Sequence, residues 1–299
     1  AKKLEKRKLD NFESDLIVGV YYLKNQELNK AQKYFLKIKN RKSKFILNNF
    51  ISNSLLSWSS VDKLDLKKVE KEFESIDPRF ENLKSIQIVF LHCYYKSKKT
   101  DLSFKQLTSN NKIDFSRYNY FYAQYLSSKG KINEAKKVVN SSLKLYPRNL
   151  LLNQYKFDLE NGNNEINFNC EKQSHVIAEI LYITANALSS QSVYTISNFY
   201  LNLAKYLNKN FYSFDNLLAE NFYKINNLKQ SRKTYNNMGK NGIAYSWHAA
   251  KQNSRILIKE DKKNEALNLL KKNYNKLKEK KVYEIFDYAD FLKNNDQFK

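Results

Sequence analysis

The sequence predicts an all-α fold built from repeated pairs of antiparallel helices. The 299 residues include only 5 Gly and 2 Pro, which is too few turn residues for a sheet-rich protein. Apolar residues make up 42% of the chain and aromatic residues 14%, enough for a substantial core. A pattern of small and large residues also recurs about every 35 positions, which is typical of arrays in which each repeat is one helix pair.

The clearest repeat lies between Arg117 and Pro147. Ala123 and Ala135 are small residues 12 positions apart, and they would let two helices approach closely while larger residues fill the space between them. Gly130 predicts the turn between these helices, because Gly adopts backbone conformations that other residues avoid. Pro147 predicts the end of the second helix, because a Pro cannot continue it.

The same spacing recurs along the chain. The last four small residues that mark a first helix are separated by 34, 35 and 35 positions. Two further units match the pattern weakly but keep apolar first-helix segments at 45–58 and 86–95. The small residues that mark the first helices are Gly19, Ser54, Cys93, Ala123, Ala185, Ala219, Ser254 and Ala289.

The spacing also predicts a linear division of the chain. Residues 161–174 are polar and rich in Asn, and they interrupt the period, which predicts a loop or bend there. Residues 1–160 would then hold N-terminal repeats, several of them degenerate, and residues 175–299 would hold C-terminal repeats. The small residue that should follow Ala289 would fall near position 301, which predicts that the array is cut within a repeat.

These residues resemble the tetratricopeptide repeat (TPR). The best copy is Ala123, Ala135, Val139, Ser142 and Pro147 with the turn Gly-Lys-Ile-Asn-Glu-Ala at 130–135, and Asn264-Glu265-Ala266-Leu267 is similar. Residues 203–211 and Trp247-His248-Ala249 resemble segments of exported TPR proteins of α-proteobacteria. The resemblance covers most of the chain. It implies a right-handed α-solenoid of stacked helix pairs, a TPR-like superhelix. It also implies a non-enzymatic scaffold in the periplasm or envelope, with the cytoplasm as the alternative.

The resemblance further implies that first helices line a groove for a protein or peptide partner. Lys251, Arg255 and Lys259 recur every four residues and would share one helix face, which suits a carboxylate or an acidic peptide. A solvated lysine face is the alternative interpretation. The candidate groove residues are Tyr120, Gln124, Tyr182, Asn186, Asn216, Tyr223, Lys224, Lys251, Arg255 and Lys259.

The net charge of +23 raises RNA binding as the alternative function. The basic residues are 46 Lys and only 7 Arg, beside 39 Asn, which indicates A/T-rich codons. Nucleic-acid surfaces favour Arg, whose planar group binds phosphate and guanine at two points. Repeats that recognise RNA bases also need the same polar residues at fixed positions, and the candidate groove residues do not recur in that way.

No catalytic, cofactor or metal site is predicted. Adjacent helical residues point about 100° apart, so His92 and Cys93 would not share a metal ion, and Cys170 with His175 supplies only two ligands. The run at 239–242 lacks the spacing of a phosphate-binding loop. The two cysteines could form one disulfide, but nothing in their spacing indicates it, and the compartment stays open. No apolar stretch is long enough to span a membrane.

Overall fold

The computed structural model describes residues 1–7, 9–41, 46–109 and 116–295. These residues form 17 α-helices and one short 3-10 turn at Pro78–Phe80, with no strand among them. None of the described helices has the length and apolar character needed to cross a bilayer. The helices are α1 (Lys2–Lys6), α2 (Phe12–Lys24), α3 (Leu28–Asn40), α4 (Ile46–Ser59), α5 (Leu66–Phe73), α6 (Glu81–Tyr94), α7 (Thr100–Thr108), α8 (Ser116–Ser128), α9 (Ile132–Leu145), α10 (Leu150–Glu160), α11 (Gln173–Ser190), α12 (Tyr194–Leu207), α13 (Ser213–Lys224), α14 (Leu228–Gly239), α15 (Ile243–Lys259), α16 (Lys263–Asn275) and α17 (Val282–Lys293).

The predicted all-α class and its helix pairs are confirmed. Within each pair the two helices pack together, as α2 does with α3, α11 with α12, α13 with α14 and α15 with α16. Successive pairs also stack, because α3 contacts α4 and α14 contacts α15. The weak segment at 45–58 corresponds to α4, although Phe45 lies outside the described residues. The segment at 86–95 corresponds to most of α6.

The turn inside six of the pairs repeats one backbone conformation. A residue with φ between 52° and 75° follows the first helix, and the next residue donates its N–H to a carbonyl five residues back. Asn227 donates in this way to Phe222 at 2.8 Å. This arrangement ends a helix and satisfies its last carbonyls. The residues with positive φ at these turns are Gln26, Lys96, Gly130, Ser192, Asn226 and Asp261.

The small residues also have the role that their spacing predicts. At Gly19 an added Cβ would lie 2.5 Å from the Phe35 ring, so only Gly allows α2 and α3 to approach this closely. In three pairs a buried Ser hydroxyl joins the two small positions by donating to a backbone carbonyl. These bonds run from Ser197 to Ala185 (2.7 Å), from Ser231 to Ala219 (2.8 Å) and from Ser254 to Ala266 (3.1 Å).

The chain divides into two compact units that are interleaved in sequence. Unit 1 is Ala1–Tyr118 with Asn167–Phe211, and unit 2 is Asn119–Ile166 with Tyr212–Lys299. The sequence instead predicts a linear division, with N-terminal repeats before residues 161–174 and C-terminal repeats after them. This division stays a prediction. Residues 161–172 do connect α10 with α11 without a helix.

In unit 1 the pair α11–α12 packs onto helices that come much earlier in the chain. Helix α11 lies against α4 and α6, and α12 lies against α2. A regular solenoid brings each repeat into contact only with its neighbours in sequence. The first helices of the early repeats are therefore covered by another part of the same unit. Unit 2 has a similar long-range contact, in which α10 packs on α15 and Gln154 accepts the N–H of Ala244 at 3.0 Å.

A disulfide joins these distant parts of unit 1. Cys93 of α6 is bonded to Cys170, which lies just before α11 and 77 positions later in the chain, with Cα atoms 5.8 Å apart. Both side chains are buried. Phe168, two residues before Cys170, packs on Phe90 of α6, with ring centres 5.1 Å apart. The bond was not predicted from cysteine spacing, because it depends on the packing of α11 against α6.

A buried ion pair also fixes α11 within unit 1. Nε of Arg117 lies 2.6 Å from Oε1 of Glu179, and a second guanidinium nitrogen lies 2.7 Å from Oε2. Glu179 is fully buried. Burial raises the pKa of the Glu179 carboxyl group, and the neighbouring Arg117 charge opposes that rise. The pair is two-point and charge-assisted, the strongest geometry available to these groups.

Candidate functional site

Two of the ten candidate groove residues are buried in unit 2. Tyr120 packs edge-on against Tyr155 of α10, with ring centres 5.3 Å apart. Gln124 is fully buried and donates to the carbonyl of Glu165 at 3.4 Å. Helix α10 covers this part of α8, so Tyr120 and Gln124 do not line an open surface.

Two other candidates, Tyr182 and Asn186, lie on α11 in unit 1. The guanidinium group of Arg117 stacks over the Tyr182 ring at 3.9 Å from its centre. Tyr182 is thus part of the buried ion-pair cluster that holds α11 in place. Asn186 is exposed.

The remaining six candidates lie on α13 and α15, and the structure brings them together with two residues that were not predicted. Residues four apart on a helix share a face, and this spacing turns both sets toward each other. We call this surface the α13–α15 face. It consists of Asn216, Glu220, Tyr223 and Lys224 on α13 with His248, Lys251, Arg255 and Lys259 on α15.

An aromatic ring with two cations forms the centre of the α13–α15 face. The Arg255 guanidinium lies 4.0 Å from the centre of the Tyr223 ring, and Nζ of Lys259 lies 4.8 Å from it. Cations are attracted to the electron-rich face of such a ring. Glu220 supplies the carboxylate here, 3.3 Å from Arg255 and 3.8 Å from Lys224. The single carboxylate of Glu220 therefore balances only part of the charge of three cations.

A neutral histidine ties the two helices together at the buried edge of the face. Nε2 of His248 lies 2.7 Å from Oδ1 of Asn216 and donates its hydrogen there. Burial lowers the pKa of His248 to about 4, helped by the nearby Lys251 charge. At neutral pH the ring is uncharged, so Asn216 and His248 position α13 against α15 without adding to the net charge.

Lys251 is directed away from Tyr223 and binds a carboxylate of α17. Its Nζ lies 2.8 Å from Oδ2 of Asp287, whose Oδ1 is 2.7 Å from Arg148. The predicted basic stripe therefore divides into Lys251, which is ion-paired to α17, and Arg255 with Lys259, which lie over Tyr223. Sequence reasoning missed Glu220 and Asp287 as partners. A usable signal existed, because they lie 35 residues before Arg255 and 36 after Lys251, one repeat away.

Metal-binding geometry is absent from the described part of the chain. No group of three His, Cys, Asp or Glu side chains there could hold a metal ion. His92 lies 3.3 Å from Glu70, and His175 accepts the Asn169 N–H at 3.1 Å. Burial also lowers the pKa of His175 to about 4. These histidines serve local packing.

No protein-family model matches the sequence, and no curated protein matches it either. Two solved structures are similar to it in fold alone. A tetratricopeptide repeat protein from Parabacteroides merdae shares 8% identity over 94% of this chain and 98% of its own, with a TM-score of 0.33. Yeast Tom70 shares 13% identity over 91% of this chain and 58% of its own, with a TM-score of 0.34.

The geometry of the pairs themselves decides the fold. Turns with positive φ at Ser192, Asn226 and Asp261 are 34 and 35 residues apart, and paired small residues lie 12 positions apart between the helices. The helix pairs therefore keep the spacing of the tetratricopeptide pattern that the sequence resembles. Unit 1 departs from a simple array of such pairs, because α11–α12 packs on α2, α4 and α6.

Proposed function

We propose that this chain is a protein-interaction scaffold that binds an extended acidic peptide segment of a partner protein on the α13–α15 face. The observation that carries the proposal is the pair of cations, Arg255 and Lys259, within 5 Å of the centre of the Tyr223 ring. These groups are exposed at their charged ends, and Glu220 balances only part of their charge. Catalysis has no part in the proposed role.

Glu220 positions the Arg255 side chain in the unbound protein. Its carboxylate holds Arg255 over Tyr223, so the guanidinium group is already positioned and loses less conformational freedom on binding. An incoming carboxylate would bind Lys259 and approach the positive charge of Arg255, and an apolar side chain beside it would contact Tyr223. Exposed ion pairs contribute about 0–1 kcal/mol each, so we expect weak binding that salt weakens further.

The disulfide supports an oxidising compartment, such as the periplasm or cell envelope, as the place of action. Most thiols in the cytosol stay reduced, whereas exported proteins keep their disulfides. Thiol trapping in intact source cells tests this: trapping of Cys93 and Cys170 as free thiols in the mature protein would contradict it.

The partner can be sought with three matched baits. The first is the native chain, and the second carries Tyr223→Ala, Arg255→Gln and Lys259→Gln. The control bait carries Lys229→Gln and Lys233→Gln, which remove the same charge from exposed positions on α14. Each is incubated with lysate, with and without nuclease treatment, at about 50 and about 300 mM salt.

A partner that binds the native and control baits but not the triple variant would support the proposal. Equal recovery on all three baits would show that the α13–α15 face is not the site. If nucleic acid were the only material bound without nuclease, and about 300 mM salt released it, RNA binding would replace the proposal.

A further inference from the structure

Three lysines and a histidine come together in unit 1, where the ends of α2, α11 and α12 meet. Lys24 is the last residue of α2, Lys172 immediately precedes α11, and Lys209 follows shortly after α12 ends at Leu207. The three lysines are exposed, and His175, in the first turn of α11, is partly exposed. We call these four residues the Lys24 cluster.

Bonds between the chain segments hold the Lys24 cluster in place. Nζ of Lys24 donates to the carbonyl of Leu207 at 2.7 Å, which joins the end of α2 to the end of α12. The Asn208 amide donates to the carbonyl of Asn167 at 3.0 Å, which joins the end of α12 to the segment before α11. The disulfide at Cys170 attaches the same segment to α6. The cluster is therefore positioned before any ligand binds, which lowers the entropic cost of binding.

Among the described residues, no acidic side chain forms an ion pair with these lysines. Burial lowers the pKa of Lys24, and the charges of Lys209 and Lys172 lower it further. No carboxylate of the described residues acts on that pKa in the opposite direction. Glu171, the acidic residue beside Lys172, lies 3.3 Å from Lys96. The charges of the cluster therefore reinforce one another.

His175 adds a neutral hydrogen-bond donor to the Lys24 cluster. Its Nδ1 accepts the N–H of Asn169 at 3.1 Å, so the neutral ring carries its hydrogen on Nε2. Burial lowers the pKa of His175 to about 4, helped by the charges of Lys172 and Lys24, so the ring is neutral at pH 7. Nε2 has no hydrogen-bond partner within the described ranges of the chain, which leaves its N–H free for a ligand.

Helix dipoles account for only two of the three lysines. Lys24 and Lys209 lie at the C-terminal ends of α2 and α12, where a cation is favourable. Lys172 lies at the N-terminal end of α11, where the dipole disfavours a cation, and the first turn of that helix contains no acidic residue. An anion bound by the Lys24 cluster would compensate the charge of Lys172.

We propose that the Lys24 cluster is a binding site for a phosphate group, either free or as a monoester. The ammonium groups of the three lysines and Nε2–H of His175 donate to its oxygens. A phosphate monoester carries about 1.5–2 negative charges at pH 7 and three acceptor oxygens, whereas a carboxylate carries one charge and two oxygens. The site lies in unit 1 and shares no residue with the α13–α15 face.

Titration of the full chain with inorganic phosphate, followed by NMR of the histidine ring C–H signals, tests the proposal. The chain has 3 His, and the signal of His175 is the one that His175→Gln removes. We expect a saturable shift of this signal, no shift for His248, and no effect of chloride at equal ionic strength. Phenyl phosphate, a monoester, should bind within about 3-fold of inorganic phosphate, and dimethyl phosphate, a singly charged diester, at least about 10-fold more weakly. Binding of inorganic phosphate without phenyl phosphate would identify the free anion as the ligand.

Two matched variants separate this site from general screening of a basic protein. The cluster variant should bind phosphate about 10-fold or more weakly than the native chain. The control variant removes the same charge from exposed positions on α5 and α7 and should bind as the native chain does. Circular dichroism should show native helix content for both, because the replaced side chains are exposed. The cluster variant is Lys24→Gln/Lys172→Gln/Lys209→Gln, and the control variant is Lys67→Gln/Lys71→Gln/Lys105→Gln.

Three results would each overturn the proposal: no saturable shift below about 10 mM phosphate, equal affinity for phenyl and dimethyl phosphate, or equal affinity of the cluster and control variants. A single-stranded oligonucleotide that shifted the His175 signal at lower concentration than phenyl phosphate would show that nucleic acid occupies the site instead. Arg255→Gln/Lys259→Gln should leave phosphate binding unchanged, so failure of the α13–α15 proposal and failure of this one can be told apart.

Discussion

Replacing both Cys93 and Cys170 with Ala is expected to lower the free energy of unfolding of unit 1 by about 4.5 kcal/mol. The bond closes a loop of 77 residues, and it restricts the unfolded chain far more than the folded one. For a loop of this length, the chain-entropy relation gives roughly 15 cal/mol/K, which is about 4.5 kcal/mol at 25 °C. The two small side chains contribute little packing beyond the bond itself.

Thermal unfolding followed by circular dichroism measures this loss. In a protein of this size, 1 kcal/mol shifts the midpoint by about 2–4 °C, so we expect a fall of roughly 9–18 °C. The native chain unfolded in the presence of dithiothreitol should reach the same low midpoint. The double variant should not respond to the reductant at all.

Two results would refute the reasoning. A midpoint lowered by less than about 3 °C would show that loop closure does not govern the stability of unit 1. Detection of two free thiols in native protein, denatured under non-reducing conditions, would show that Cys93 and Cys170 are not bonded.

Three further predictions concern single residues. Acid should destabilise unit 2 through His248, because its pKa is about 4 in the folded chain and about 6.5 in the unfolded chain. As the pH falls, the unfolded chain takes up the proton first, so the free energy of unfolding decreases between pH 6.5 and 4 by up to about 3 kcal/mol. Urea unfolding at several pH values should show a smaller loss for His248→Gln. Arg117→Ala should cost about 3–5 kcal/mol, because it leaves the Glu179 carboxylate buried without its partner, and chemical denaturation will measure this. Gly130→Ala should cost about 1–2 kcal/mol because φ is +75°, and Ser192→Gly should gain up to about 1 kcal/mol because φ is +63°.

Each of these predictions has its own control. The double variant Arg117→Met/Glu179→Leu should recover most of the stability that Arg117→Ala loses, because no charge then stays buried. If His248→Gln lost as much stability in acid as the native chain, other groups would cause the acid sensitivity. If Gly130→Ala and Ser192→Gly changed stability in the same direction, backbone strain would not explain either effect.

Local structure was predictable from the sequence because neighbouring residues determine it. Helix α9 begins at Ile132, just after Gly130, and ends at Leu145, just before Pro147. Gly allows a positive φ and Pro stops a helix from continuing, whatever the surrounding structure. The interleaving of the two units was not predictable in this way, because α11 packs on α4 through contacts between residues far apart in the chain.

The candidate site was predictable to a similar extent. Helical spacing identified the side of α15 that carries Arg255, one residue after Ser254, but Gln124 has the same position after Ala123 and is fully buried. Helix α10 covers that part of α8, where its Tyr155 packs against Tyr120. A repeat pattern places a side chain on a helix face, and the elements that cover that face decide its exposure.

The interleaved order of unit 1 has a consequence during synthesis. Cys93 leaves the ribosome 77 residues before Cys170, an interval of about 4–15 s at usual elongation rates. During that time the apolar sides of α4 and α6 have no α11 to cover them, and the thiol of Cys93 has no partner. The nascent chain must therefore be kept from aggregation and from wrong disulfides until α12 has emerged, which makes unit 1 dependent on the timing of its own translation.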